Sequence, residues 1–277
     1  MPRHFSYLLL ALSLTLASCK KDLDMTLLEK QLYEEVAFDA IIVEDAWEVT
    51  VIQDDVKRGV VVEYSAFLEE YLKVKRDGSE LVVGFTNRLN LPSETVFRAT
   101  VYVPTLQSLK ATKASRMTLE GTFAVTGLLV DLDQASVLRG GSLMGDDAEI
   151  LLDNASTVVD LSAEVTSCRI SLDNTSVFKG RLQTQDHLDI LMDDASRMTL
   201  YGDLSPKVTA HLTAASMLNM LAVEVADMEV HLNTASEASV KVTGDLTGTL
   251  NEASVLYYQG QPNIQLSCDA TSNYYPL

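Results

Sequence analysis

The chain has 277 residues, 47% of them apolar and 22% charged, which is enough apolar material for a sizeable core and argues against disorder. Its 39 acids outnumber 21 basic residues for a formal net charge of −18, so a basic nucleic-acid footprint and electrostatic docking on anionic lipid are both excluded. Aromatics make up 6%, with Trp47 the single tryptophan, so stacking platforms for bases are not evident.

Residues 1–18 read as a signal peptide. Arg3 and His4 precede a run of leucines from Leu8 to Leu16. The run is too short to span a bilayer but suits an h-region. Leu16-Ala17-Ser18-Cys19 then resembles a bacterial lipobox, which implies cleavage before Cys19 and acylation of that cysteine. Lys20-Lys21-Asp22-Leu23-Asp24 resembles the lysine-plus-acid signals of Bacteroidetes surface lipoproteins. Residues 19–35 read as a tether or a short helix. Residues 36–110 alternate in short runs, such as Val49-Thr50-Val51-Ile52 and Leu81-Val82-Val83, with a hairpin-type turn at Asp77-Gly78. They read as an N-terminal β lobe that covers the first coil of a repetitive C-terminal region.

That region spans residues 111–277. A small residue followed by serine recurs at Ser115, Ser136, Ser156, Ser176, Ser196, Ser216, Ser236, Ser254 and Ser272, with spacings of 21, 20, 20, 20, 20, 20, 18 and 18. Four residues before the later serines stand Leu132, Leu152, Leu172, Met192, Leu212, Leu232, Leu250 and Cys268. The positions six and eight before are also nearly all apolar, and a further apolar residue stands two after each serine. Period two with one apolar face is the mark of a half-buried strand. Coils this short cannot bury that face alone, so they must stack. The expected architecture is all-β: a single-stranded parallel β-helix with rungs of about 20 residues, a flattened tube with two main sheets and with Tyr274 and Tyr275 as candidate far caps.

The sequence resembles the putative auto-transporter adhesin, head GIN domain family of Bacteroidetes-type lipoproteins. The resemblance is carried by Cys19, by Phe38-Asp39-Ala40-Ile41-Ile42-Val43, by Leu72 to Val83 with its turn, and by Val101-Tyr102-Val103-Pro104-Thr105-Leu106 leading into the first Ala-Ser pair. The glycines of the family's turns are mostly replaced here, as in Asp153-Asn154-Ala155-Ser156. The resemblance implies a right-handed, pectin-lyase-like helix, no catalytic residues and an adhesive role.

Stacking makes specific expectations. Asp133, Asp153, Asp173 and Asp193 form one column, a solvated turn ladder or a weak cation ladder; no cofactor and no dedicated metal site are implied. His211 and His231 stack on the outer face, near Glu229. Cys168 and Cys268 are buried free thiols, too many rungs apart for a disulfide. Arg116, Arg139, Lys179, Arg181 and Arg197 lie just after the turns and either balance the Asp column or bind substrate. The spacing leaves no room for the long loops from which β-helical polysaccharide enzymes build a groove, so the protein is read as a non-enzyme. It is expected on the outer membrane, at the cell surface or facing the periplasm, held by its N-terminal lipid. Its partner is a host or matrix glycan or protein; a periplasmic structural role and a degenerate polysaccharide-active enzyme are the alternatives.

Overall fold

A computed structural model describes residues 23–277. The signal peptide and Cys19 lie outside the described residues. The first strands are β1 (Leu27–Leu32), β2 (Ala40–Val43), β3 (Glu48–Gln53), β4 (Gly59–Ser65), β5 (Leu72–Asp77), β6 (Glu80–Phe85) and β7 (Phe97–Val103). Next come β8 (Ser108–Ala111), β9 (Arg116–Val125), β10 (Leu128–Leu132), β11 (Val137–Leu152), β12 (Thr157–Leu172), β13 (Val177–Met192), β14 (Arg197–Leu212) and β15 (Met217–Leu232). The last are β16 (Glu237–Val242), β17 (Asp245–Leu250), β18 (Val255–Gln259), β19 (Asn263–Cys268) and β20 (Asn273–Pro276). No helix among the described residues is long and apolar enough to cross a membrane.

The chain forms a parallel β-solenoid. Successive coils pair in register at the spacing of the serines: Ile150 lies beside Ile170, Ile170 beside Ile190, and Leu212 beside Leu232. The apolar files therefore point inward, and Val130, Ile150, Ile170, Ile190, Ala210 and Val230 are all completely buried. Each residue of such a file has its whole side chain removed from water, at roughly 25 cal/mol per Å² of apolar area.

Each 20-residue coil has three short sides rather than two. In β12 the buried residues Val158, Leu161, Ala163, Val165, Cys168, Ile170 and Leu172 alternate with outward ones except at two places. There two consecutive residues face out, and the register to the next coil shifts between Val159 and Leu161 and between Val165 and Ser167. These bulges turn the strand through corners. At the first corner Asp160 has φ +59°, where the preceding coil has Gly140 at +70°. Toward the far end the coils become two-sided. The 18-residue repeats drop one corner, since β16 pairs with Met217–Met220 and then resumes at Glu224, which leaves Leu221–Val223 without partners on β16.

The N-terminal segment joins the same ladder, but its stacking order is not its chain order. β2 lies between β6 and β8, and β3 between β7 and β9. The coil of β6 and β7 therefore sits outside the coil of β2 and β3. Beyond it the ladder ends in antiparallel strands, β5 on β6 and β1 and β7 on β4. The β5–β6 hairpin turns at Gly78-Ser79, with Gly78 at φ +60° in the first loop position, where type II′ geometry requires a positive angle. Residues 27–32, expected as tether or helix, are a strand. Leu28 and Leu32 pack against the core, and pairing with β4 satisfies the backbone of an otherwise short amphipathic segment.

The far end differs from expectation. Tyr274 and Tyr275 lie on β20, 41% and 47% exposed, and do not cover the last coil. They stack back on the coil above, Tyr275 on Tyr257 and Tyr274 near Tyr258.

Candidate functional site

The most regular feature is a ladder of turns along one corner of the solenoid. The two residues before each serine from Ser115 to Ser254 take left-handed angles in succession: Lys113 and Ala114, Gln134 and Ala135, Asn154 and Ala155, and so on to Glu252 and Ala253, with φ between 46° and 64°. Non-glycine residues adopt this region at a cost of roughly 1–2 kcal/mol each. The ladder compensates through its backbone. The second residue's N–H donates to the carbonyl of the first in the next coil, as Ala135 N to Asn154 O at 2.8 Å and Ala155 N to Asn174 O at 2.9 Å. The serines close the turns from inside and are all buried. Ser136, Ser236 and Ser254 donate through Oγ to the carbonyl three residues back, each at 2.7 Å.

The Asp column lies on the outside of these turns. Asp133, Asp153, Asp173 and Asp193 each accept the N–H of the next residue. Neutral side-chain donors contact three of the four carboxylates. Asn154 Nδ2 reaches Asp133 Oδ1 at 2.7 Å and Asp153 Oδ2 at 3.1 Å, Asn174 Nδ2 reaches Asp153 Oδ1 at 2.7 Å, and the Thr213 hydroxyl donates to Asp193. Asn154 thereby ties Asp133 to Asp153 within a self-bonded turn ladder. Among the described residues no three His, Cys, Asp or Glu side chains converge as metal ligands.

His211 and His231 stack as the register requires, ring centroids 4.6 Å apart and 14° from parallel. His231 also contacts Glu229 Oε1 at 3.1 Å and Thr249 Oγ1 at 2.9 Å. The basic residues do not balance the Asp column. Arg116 pairs with Glu48, Arg139 with Asp160 and Arg181 with Asp203, while Lys179 lies over the Tyr201 ring. Their partners are outward acids one coil away, because strand positions after the turn face the neighbouring strand and not the turn.

Cys168 is buried and desolvation pushes its thiol up to about 12. Cys268 is exposed, contrary to expectation. It occupies the correct inward file, beside Leu250, but no further coil among the described residues lies beneath it. Thiol titration of the native protein is therefore expected to modify Cys268 readily and Cys168 only after unfolding. Equal protection of both would place Cys268 inside.

One concave feature was not legible in the repeat. Asp45 and Ala46 carry the same paired left-handed angles, 61° and 62°, and Ala46 N donates to Lys113 O at 2.9 Å. They are one more turn of the ladder, with Trp47 in the serine position. The indole is fully buried against Phe85 and Phe97, with centroids at 5.4 and 5.8 Å. Only a wider coil admits it, and here residues 86–96 replace a tight turn. Between this segment and the turn ladder lies a cleft of about 750 Å³, lined by Asp45, Phe85, Asn87, Arg88, Leu91, Phe97, Lys113 and Gln134 among others. Asp45 bridges its floor, accepting from Lys113 Nζ at 3.0 Å and from the Phe85 N–H at 3.2 Å. The hydrogen bond to Asp45 raises the Lys113 pKa, so its ammonium stays charged. The residual signal in the sequence was Asp-Ala before Trp47 and an apolar residue, Val49, two positions later.

Fold and surface define an acidic β-solenoid with a self-bonded turn corner, and with one mixed polar and aromatic cleft near its N-terminal end. Residues 37–262 match the family described as "Putative auto-transporter adhesin, head GIN domain", and the chain belongs to that family. Among solved structures it is similar to a "putative adhesin" from Parabacteroides merdae (TM-score 0.65, 13% identity, 91% of this chain and 96% of that one). A second "putative adhesin", from Parabacteroides distasonis, matches at TM-score 0.65 and 16% identity over 91% and 98% of the two chains. A "putative lipid binding protein" from the same organism matches at TM-score 0.66 and 12% identity over 92% and 98%. At these identities the likeness establishes the fold. No curated protein matches the sequence.

Proposed function

We propose that the protein is a lipid-anchored envelope adhesin that holds a glycan or protein of host or matrix without transforming it. The observation that carries this reading is the minimal coil. From Val137 to Leu232 strands of 16 residues alternate with four-residue turns, so no inserted loop builds a groove over the sheets. The described residues supply a rigid acidic flank and the cleft at Asp45, Arg88 and Lys113. The cleft combines half-buried aromatic carbon with convergent donors and acceptors, the composition that small-molecule and sugar sites use. Cys19 supplies the acyl anchor in this reading, and the family's adhesin character favours the outer face of the envelope.

The test is protease shaving of intact cells with a periplasmic marker scored in parallel. Release of solenoid fragments while the marker stays intact is expected. Fragments that appear only after the outer membrane is opened would replace surface adhesion with a periplasmic accessory role.

A further inference from the structure

We propose that the last coil is a docking face for a second copy of this chain, joined tail to tail. It is independent of the lipid anchor and of any glycan ligand.

The two strands of the last coil each have one partner only, β19 on β17 and β20 on β18. Their outer edges present unpaired backbone N–H and C=O groups. The inward side chains are uncovered as well. Ile264 and Leu266 are half-buried, whereas Leu246 and Leu250 one coil above are completely buried.

The opposite end of the ladder is guarded. Its edge strands carry charge, Glu29 and Lys30 on β1 and Lys73, Lys75 and Arg76 on β5. Charged side chains on an edge prevent pairing with another sheet. β19 and β20 carry none, and from Ala253 to Leu277 Asp269 has the only charged side chain. That carboxylate accepts the N–H of Glu252 in the coil above and those of Thr271 and Ser272 in its own turn, and these bonds hold its pKa well below the usual range. In a chain of net charge −18, this end, with one charged side chain in 25 residues, is where two like copies approach with little repulsion.

Symmetry selects the occupant. A head-to-tail stack would set this edge against the guarded one. A twofold axis crossing the core instead runs through both sides of the last coil at once. It lays β19 antiparallel on its own copy and β20 on its own copy, a closed, self-complementary contact. Centred on Gln265, it puts Ile264 opposite Leu266 of the second copy and continues the apolar files across the junction. Strands of about 20 Å on sides about 10 Å apart, with their side chains, give a footprint of roughly 500 Å² per copy. Roughly 1,000 Å² in total is the lower limit of a specific interface, so the dimer is reversible.

Sedimentation equilibrium of the purified full chain, under reducing conditions and over a concentration series, tests the proposal. The expected result is a monomer–dimer equilibrium that tightens as salt screens the acidic flanks. Leu266→Lys is expected to weaken it by at least about tenfold. Gln265→Lys, on an exposed position that leaves the core untouched, is expected to do the same by setting like charges opposite each other. Lys75→Glu, at the guarded end, leaves the dimer unchanged. A monomer at every concentration, or a dimer indifferent to Gln265→Lys, would overturn the proposal.

Discussion

Replacing Cys19 with alanine moves the protein from the membrane pellet to the soluble fraction. In the proposed anchor the Cys19 thiol is the acyl acceptor, and no other side chain of the Leu16-Ala17-Ser18-Cys19 segment can take its place. Each buried methylene of an acyl chain contributes about 0.8 kcal/mol, so two or three chains hold the protein durably. The described residues offer neither a spanning helix nor an excess of basic charge in their place. No helix there is long and apolar enough to span the bilayer, and a net charge of −18 repels anionic headgroups. Fractionation of cells expressing Cys19→Ala, with Cys168→Ser as the control that stays in the pellet, reads the outcome directly. Persistence of Cys19→Ala in the pellet after a high-pH wash would show that acylation is not what holds it.

Ile170→Asp is expected to unfold the middle of the solenoid. Ile170 is completely buried between Ile150 and Ile190 of the adjacent coils. Removing its side chain loses roughly 2–3 kcal/mol of burial, and a carboxyl group in its place adds several more for desolvation without a partner. In a solenoid each coil is held by its two neighbours, so a failed coil also uncouples the flanks. Ser171→Asp, one residue on and pointing outward, is expected within about 0.5 kcal/mol of the parent. Urea midpoints of the two variants separate the inward file from the outward one. Similar midpoints would mean that the files are misassigned.

The inward files were legible because side-chain direction in a strand is set residue by residue. A period of two, repeated at 20, names Leu132, Leu152 and Leu172 as neighbours. The serine beside each turn was legible for the same reason, although its role was not: the carbonyl that Ser136 Oγ reaches is visible only in the folded turn. Trp47 was missed because it replaces the serine that marks every other turn. The cleft beside it depends on the wide 86–96 connection, which has no counterpart in the repeat. The amide donors of Asn154 and Asn174 between the carboxylates were equally invisible, since which side chain bridges two coils depends on rotamer and not on spacing.

The order of residues alone settles that this chain stacks coils, which faces point in, and where each coil makes its serine-marked turn. Those are local properties, carried by alternation, by small residues and by the regular interval between them. Three-sidedness, the placement of residues 80–103 outside residues 40–53, and the exposure of Cys268 emerge only from assembly. Each depends on what lies one coil above or below, and a residue's own identity cannot report whether another coil covers it.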